Sequence, residues 1–108
     1  MFNKYAINVQ TAHERHSDGA TLLDVRTKEE WRQGHVPGSV RVSLDSIQQR
    51  RQALTRQYAG SEVLVICRSG NRSARAAAMF RDMGISAINV RGGINAWNRK
   101  DLPIKKGQ

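Results

Sequence analysis

Short apolar runs rich in Val, Ile and Leu alternate along the chain with longer segments whose apolar residues recur at helical spacing. That alternation is the pattern of a mostly parallel sheet covered by helices on both faces. It predicts strands at Ala6–Val9, Leu22–Val25, Val40–Val42, Glu62–Cys67 and Ala87–Val90. Between the second and third, Thr27 followed three residues later by Glu30 reads as a capping box opening a short helix, which Gly34 ends before the Pro37-Gly38 turn. Asp45–Tyr58 reads as a polar surface helix with Leu44, Ile47, Leu54 and Tyr58 turned inward and Gly60 as its stop. Ser73–Met83 reads as a more buried helix, with Ala74, Ala77, Ala78 and Phe80 close on the sheet and Gly84 as its C-cap.

Length and composition narrow the picture. At 108 residues without repeat or linker, the chain is expected to form one domain over 1–108, fraying only from Lys105 to Gln108. No apolar run, VLVI at 63–66 included, is long enough to cross a bilayer, and MFNKYAINVQ lacks the pattern of a signal peptide. No membrane partner and a cytoplasmic setting are therefore expected. Eighteen Lys and Arg against nine Asp and Glu leave a net charge of +9, which calls for an anionic partner. The cations are spread from Lys4 to Lys106 and aromatic residues are few, which argues against nucleic acid and for a small anion.

The candidate chemistry centres on the single cysteine, Cys67, which can form neither an internal disulfide nor a zinc site by itself. In EVLVICRSGNRSARAAAMF an apolar strand runs into Cys67 and a helix begins about six residues later. The thiol thus lies at the carboxyl end of a strand, where open α/β sheets bind ligands. The link Arg68-Ser69-Gly70-Asn71-Arg72 tolerates unusual backbone angles, so its N–H groups can curl inward as an anion cradle at the start of the next helix. A thiol on that floor, near arginine, loses its proton more readily than a free one and serves as a nucleophile. An isolated cysteine is otherwise most often a small core residue; the strand, loop, arginines and helix in register favour chemistry here.

These residues resemble the rhodanese family over nearly the whole chain. Cys67-Arg68-Ser69-Gly70-Asn71-Arg72, followed by Ser73, is similar to the family's active-site loop. LLDVRTKEEWRQGHVPGSVRV, with Asp24, Arg26, Trp31 and the His35-Val36-Pro37-Gly38 turn, resembles its first signature, and VRGGINAW, with Gly92, Gly93 and Trp97, its second. The resemblance implies a rhodanese-like α/β fold, a five-stranded mostly parallel sheet with helices on both sides. It also implies thiosulfate sulfurtransferase activity through a Cys67 persulfide, without metal or other cofactor. On that reading a small anionic donor gives its outer sulfur to Cys67, and cyanide or a thiol takes it away. Arg68 and Arg72 would face the sulfonate, the loop would hold the persulfide, and Asp24, Arg26 and Ser73 would support it. A protein persulfide could replace either small molecule, and a monomer is expected.

Other readings rest on fewer residues. His35 with Asp24 could build a Cys/His pair, but a His before Pro-Gly is more simply a turn residue. His13 and His16 read as solvated surface, and no histidine forms a metal-ligand pattern with Cys67. Trp31 and Trp97 read as core anchors, and Gly92 and Gly93 as the means to a tight loop beside the pocket. A phosphatase or arsenate reductase resembles this arrangement too, but its signature places five residues between Cys and Arg and a His before the Cys. Here four residues, Arg68 to Asn71, intervene, and Ile66 holds the preceding position. Noncatalytic rhodanese modules typically lack the cysteine that this chain keeps. With no second thiol to resolve a persulfide, an outside acceptor must complete the cycle.

Overall fold

A computed structural model describes residues 3–108. Five parallel strands form the sheet: β1 (Ala6–Ile7), β2 (Thr21–Asp24), β3 (Val40–Arg41), β4 (Glu62–Ile66) and β5 (Ser86–Val90), in the spatial order β1-β5-β4-β2-β3. Five α-helices connect and cover them: α1 (Val9–Ser17), α2 (Lys28–Gln33), α3 (Arg51–Tyr58), α4 (Asn71–Asp82) and α5 (Gly93–Arg99). The predicted α/β class holds, and every predicted strand is present with no end moved by more than two residues. The first is shortened most, because the Asn8 side chain accepts from the Thr11 N–H and Val9 becomes the first residue of α1.

Period-two alternation in the central strands divides the interior into two layers. Val63, Val65 and Cys67 face α3 and α4 together with Leu23, Val25, Leu54 and Phe80. Leu64 and Ile66 face the other way, onto α1 and α5, with Leu22, Val90, Ile94 and Trp97. β4 is thus buried on both sides, and Cys67 is the next inward position beyond its last paired residue.

Several expectations are corrected. The segment read as one helix over Asp45–Tyr58 is a 3-10 turn at Leu44–Ser46, a bend, and then α3 from Arg51. The Ser46 hydroxyl donates to the Ser43 carbonyl at 2.8 Å, drawing the chain toward i−3 bonding at its start. α4 begins at Asn71, not Ser73, and buries Ser73, Ala76, Ala77 and Phe80 while Ala74 and Ala78 are exposed. The small-residue stripe does face the sheet, but rotated from the expected register.

The histidines of α1 are not free surface groups. His16 reaches the Ala20 carbonyl at 2.8 Å and the Pro37 carbonyl at 2.9 Å, and His13 lies edge-on to Trp97. Trp97 is the expected core anchor, but Trp31 is half-buried and stacks on His35 with ring centroids 3.6 Å apart. Nor does the tail fray at Lys105. Its backbone exchanges hydrogen bonds with His35, and the Gly107 N–H donates to the Arg32 carbonyl.

Candidate active site

The strand that ends at Ile66 delivers Cys67 to the floor of a loop that turns back at Gly70. Gly70 has φ 107°, a left-handed conformation that costs a side-chain-bearing residue energy. That turn aims its N–H at Cys67 Sγ, 3.1 Å away. Ser73, from the first turn of α4, places its hydroxyl oxygen 3.2 Å from the same sulfur. Burial pushes the Cys67 thiol up, but the Ser73 hydroxyl and the N–H groups of Ser73, Gly70 and Ser69 pull it down by more, so it lies below the ordinary thiol value. The sulfur is thus positioned to carry negative charge in a nearly dry setting.

The loop is buttressed from behind. The Ile94 N–H donates to the Cys67 carbonyl at 2.9 Å and the Asn95 N–H to the Arg68 carbonyl at 3.0 Å, so the start of α5 fixes the loop backbone. The contact is close enough to require Gly93. A Cβ there would stand 2.4 Å from the Cys67 carbonyl oxygen and 2.7 Å from the Arg68 carbonyl group.

The two loop arginines face different surroundings. Arg72 is clasped by Glu30 of α2 through two bonds of 2.7 Å, and beside it lies a cavity of about 80 Å³ whose lining includes Val25, Leu44 and Asp45. The Arg72 guanidinium, helped by the Thr27 backbone and hydroxyl, outweighs burial and holds the Glu30 carboxyl at about 2. Arg68 is exposed and lines a separate cavity of about 350 Å³ with Arg26, Glu30, Asn95 and Lys106. Ser69 and Asn71 are exposed.

Asp24 and Arg26 form a buried bidentate pair, Nη2 to Oδ2 at 2.8 Å and Nε to Oδ1 at 2.9 Å. Arg26 Nη2 also donates to the Gly34 carbonyl at 2.7 Å, and Nη1 reaches the Glu30 carbonyl at 3.4 Å. The pair therefore ties the middle and the C-terminal end of α2 to the sheet, and its link to the Cys67 loop runs through Glu30 and Arg72. The Cys/His reading finds no support in the geometry, since His35 Nδ1 is taken by the Trp31 carbonyl at 2.9 Å and Asp24 by Arg26.

Two residues of the site escaped the sequence reading. Glu30 carried a signal only for capping, and that capping box is present; its pairing with Arg72 spans 42 positions. Asn89 accepts from Ser73 Oγ at 2.5 Å and donates from Nδ2 to the Gly70 carbonyl at 3.2 Å. The available signal was a polar residue at an inward position of β5, two residues after Ala87.

Known proteins resemble this chain in sequence and in fold. The sequence profile of the rhodanese-like domain matches residues 8–100. A sulfurtransferase of Allochromatium vinosum is 35% identical over 89 residues, covering 82% of this chain and 80% of that protein. The chloroplastic thiosulfate sulfurtransferase 16 of Arabidopsis thaliana is 28% identical over 110 residues, covering 93% of this chain and 92% of its own. The crystal structure of a rhodanese-related protein from Thermoplasma volcanium superposes with a TM-score of 0.83 at 28% identity, covering 93% of this chain and 96% of that one. With the domain profile spanning residues 8–100 and a sulfurtransferase 35% identical over 82% of the chain, the chain belongs to the rhodanese-like domain family.

Proposed function

We propose that this chain transfers the outer sulfur of thiosulfate, or of a persulfide donor, to cyanide or a thiol acceptor through a persulfide on Cys67. The observation that carries the reading is the position of Cys67 Sγ, one hydrogen bond from the Gly70 N–H and at contact distance from the Ser73 hydroxyl. The Cys67 thiolate attacks the outer sulfur of thiosulfate. A bond forms from Sγ to that sulfur, the sulfur–sulfur bond of the donor breaks, and sulfite leaves with the electron pair. The cradle N–H groups stabilise the negatively charged terminal sulfur. Cyanide then attacks that sulfur, thiocyanate departs, and the thiolate returns with no oxidant or reductant consumed.

Arg72 supports this reading as a cation held by Glu30 in the first turn of the helix that follows the loop, and Arg68 as an exposed cation on the loop. The short loop, four residues between Cys67 and Arg72, favours a single sulfur atom over a phosphoryl group. The thiosulfate donor draws support from the Arabidopsis relative's name. The test is mass spectrometry of the intact protein. Thiosulfate without acceptor should leave the protein heavier by one sulfur atom, and cyanide should restore the original mass. Efficient cleavage of aryl phosphates with no gain of sulfur would replace this reading with a phosphatase.

A further inference from the structure

Ser73 Oγ stands between two groups that compete for its proton. On one side is Cys67 Sγ at 3.2 Å; on the other is Asn89 Oδ1 at 2.5 Å. The orientation of the Asn89 amide is not free. The Gly70 carbonyl beside it can only accept, and already takes the Ala74 N–H at 3.2 Å, so Nδ2 must face it and Oδ1 must face Ser73. Asn89 reaches this position because β5 pairs with β4 in a register that sets it opposite Val65, on the Cys67 face of the sheet.

A serine hydroxyl has one proton to give. While Cys67 is a thiol the chain of bonds closes: S–H donates to Ser73 Oγ, and Ser73 donates to Asn89. Once the thiol proton has left to solvent, the thiolate and Oδ1 both require the same hydroxyl proton. We propose that Asn89 is a positioning residue that draws the Ser73 proton away from Cys67, so that forming the thiolate requires Ser73 to turn from β5 toward the sulfur. Asn89 thereby sets how strongly the cradle holds charge on Cys67. This balances a sulfur strong enough to attack the donor against one stable enough to depart when the acceptor takes the persulfide sulfur. The proposal rests on Cys67 being the sulfur carrier.

The charged groups on the elements around the Cys67 loop are left in place by substitutions at Asn89. They are Arg72 on α4 with its Glu30 partner on α2, the pair of Asp24 at the end of β2 with Arg26, Arg68 in the loop, and Asp45 beside the small cavity. Their influence is common to wild type and variants.

The test follows thiolate absorbance in the ultraviolet against pH for wild type, Asn89→Ala, the near-isosteric Asn89→Leu, Ser73→Ala and the double variants. Either Asn89 substitution should raise the acid dissociation constant of Cys67 roughly three- to tenfold, as the hydroxyl turns wholly to the sulfur. Ser73→Ala should lower it, and in that background the Asn89 substitutions should give no further rise. A merely structural role for Asn89, as the anchor of the Gly70 peptide, gives the opposite sign, because loosening the cradle weakens its hold on the thiolate. A fall, no change, or a rise that persists without Ser73 overturns the proposal; the Leu variant separates the proton effect from a cavity. Sulfur uptake from thiosulfate is measured in parallel. Failure to load, with the ionisation shifts as expected, would remove the sulfurtransferase reading and leave the shared proton standing.

Discussion

The Glu30 clasp on Arg72 gives the sharpest test of the site's electrostatics. A carboxyl held at about 2 instead of its usual 4.5 is worth at most about 3 kcal/mol of stability at neutral pH. The side chains of Arg72 and Glu30 are 32% and 23% exposed, so solvent screening takes part of that away. About 1.5 kcal/mol is the expected loss in Glu30→Gln, which keeps the shape and removes the charge. For a domain of this size that lowers Tm by roughly 6–12 °C. The sign of the pH dependence follows from the depressed folded value. The contribution is fully present above about 4.5, where the unfolded chain's carboxyl is ionised, and disappears as pH falls toward about 2. Wild type should therefore lose stability over that window and Glu30→Gln should lose correspondingly less, as read by urea unfolding at a series of pH values. A double-mutant cycle with Arg72→Ala should assign most of the effect to the pair. Parallel acid profiles for the two proteins, or a coupling near zero, would refute the clasp as an energetic feature.

Three further outcomes are expected. Cys67→Ser should abolish sulfur uptake and thiosulfate:cyanide transfer with little change in Tm, since serine fits the site but forms no persulfide; retained turnover would contradict the mechanism. Alkylation of Cys67 by iodoacetamide should have its pH midpoint below the ~8.5 of a free thiol and should slow as the thiolate is protonated; a midpoint at or above that value would contradict the cradle. Gly93→Ala should cost about 2–4 kcal/mol in thermal unfolding, because φ is +55° and the added carbon would meet the Cys67 and Arg68 backbone. Its activity should fall further than its folded fraction, since the displaced atoms belong to the Cys67 loop; wild-type kinetics would show that α5 does not position that loop.

Local signals carried far in this chain. Five strands, the α2 capping box and the loop after Cys67 are each written within a few consecutive residues, as periodicity, a Thr–Glu spacing and a Gly-bearing link between strand and helix. The continuous apolar run Val63–Ile66 does not by itself assign a face to Cys67, which the structure sets with Val63 and Val65. Where a local signal was weak the reading slipped. The all-polar run Gln48–Arg51 gave nothing to separate one long helix from a 3-10 turn followed by a shorter one. In α4, alanines crowd so closely that the sequence does not separate the buried face, Ser73, Ala76, Ala77 and Phe80, from one rotated by a single position.

What the sequence determined by itself was the order of elements and the place of Cys67 between strand and helix, because strands, caps and turns answer to neighbours a few residues away. What only the tertiary structure decided was which distant side chains complete the site. Parallel strands need crossovers, so β5 comes to lie beside β4 and brings Asn89 to Ser73 from 16 positions away. The order β4-β2 likewise carries Glu30 on α2 to Arg72 across 42 positions. Long side chains such as Arg68 and Arg72 commit to a partner only once such neighbours are in place, which is why two similar arginines five and one positions before Ser73 end in different cavities. The pinning of Lys105 by His35 has the same cause, since that bridge exists only after the fold has brought the segment following α2 against the C-terminal tail.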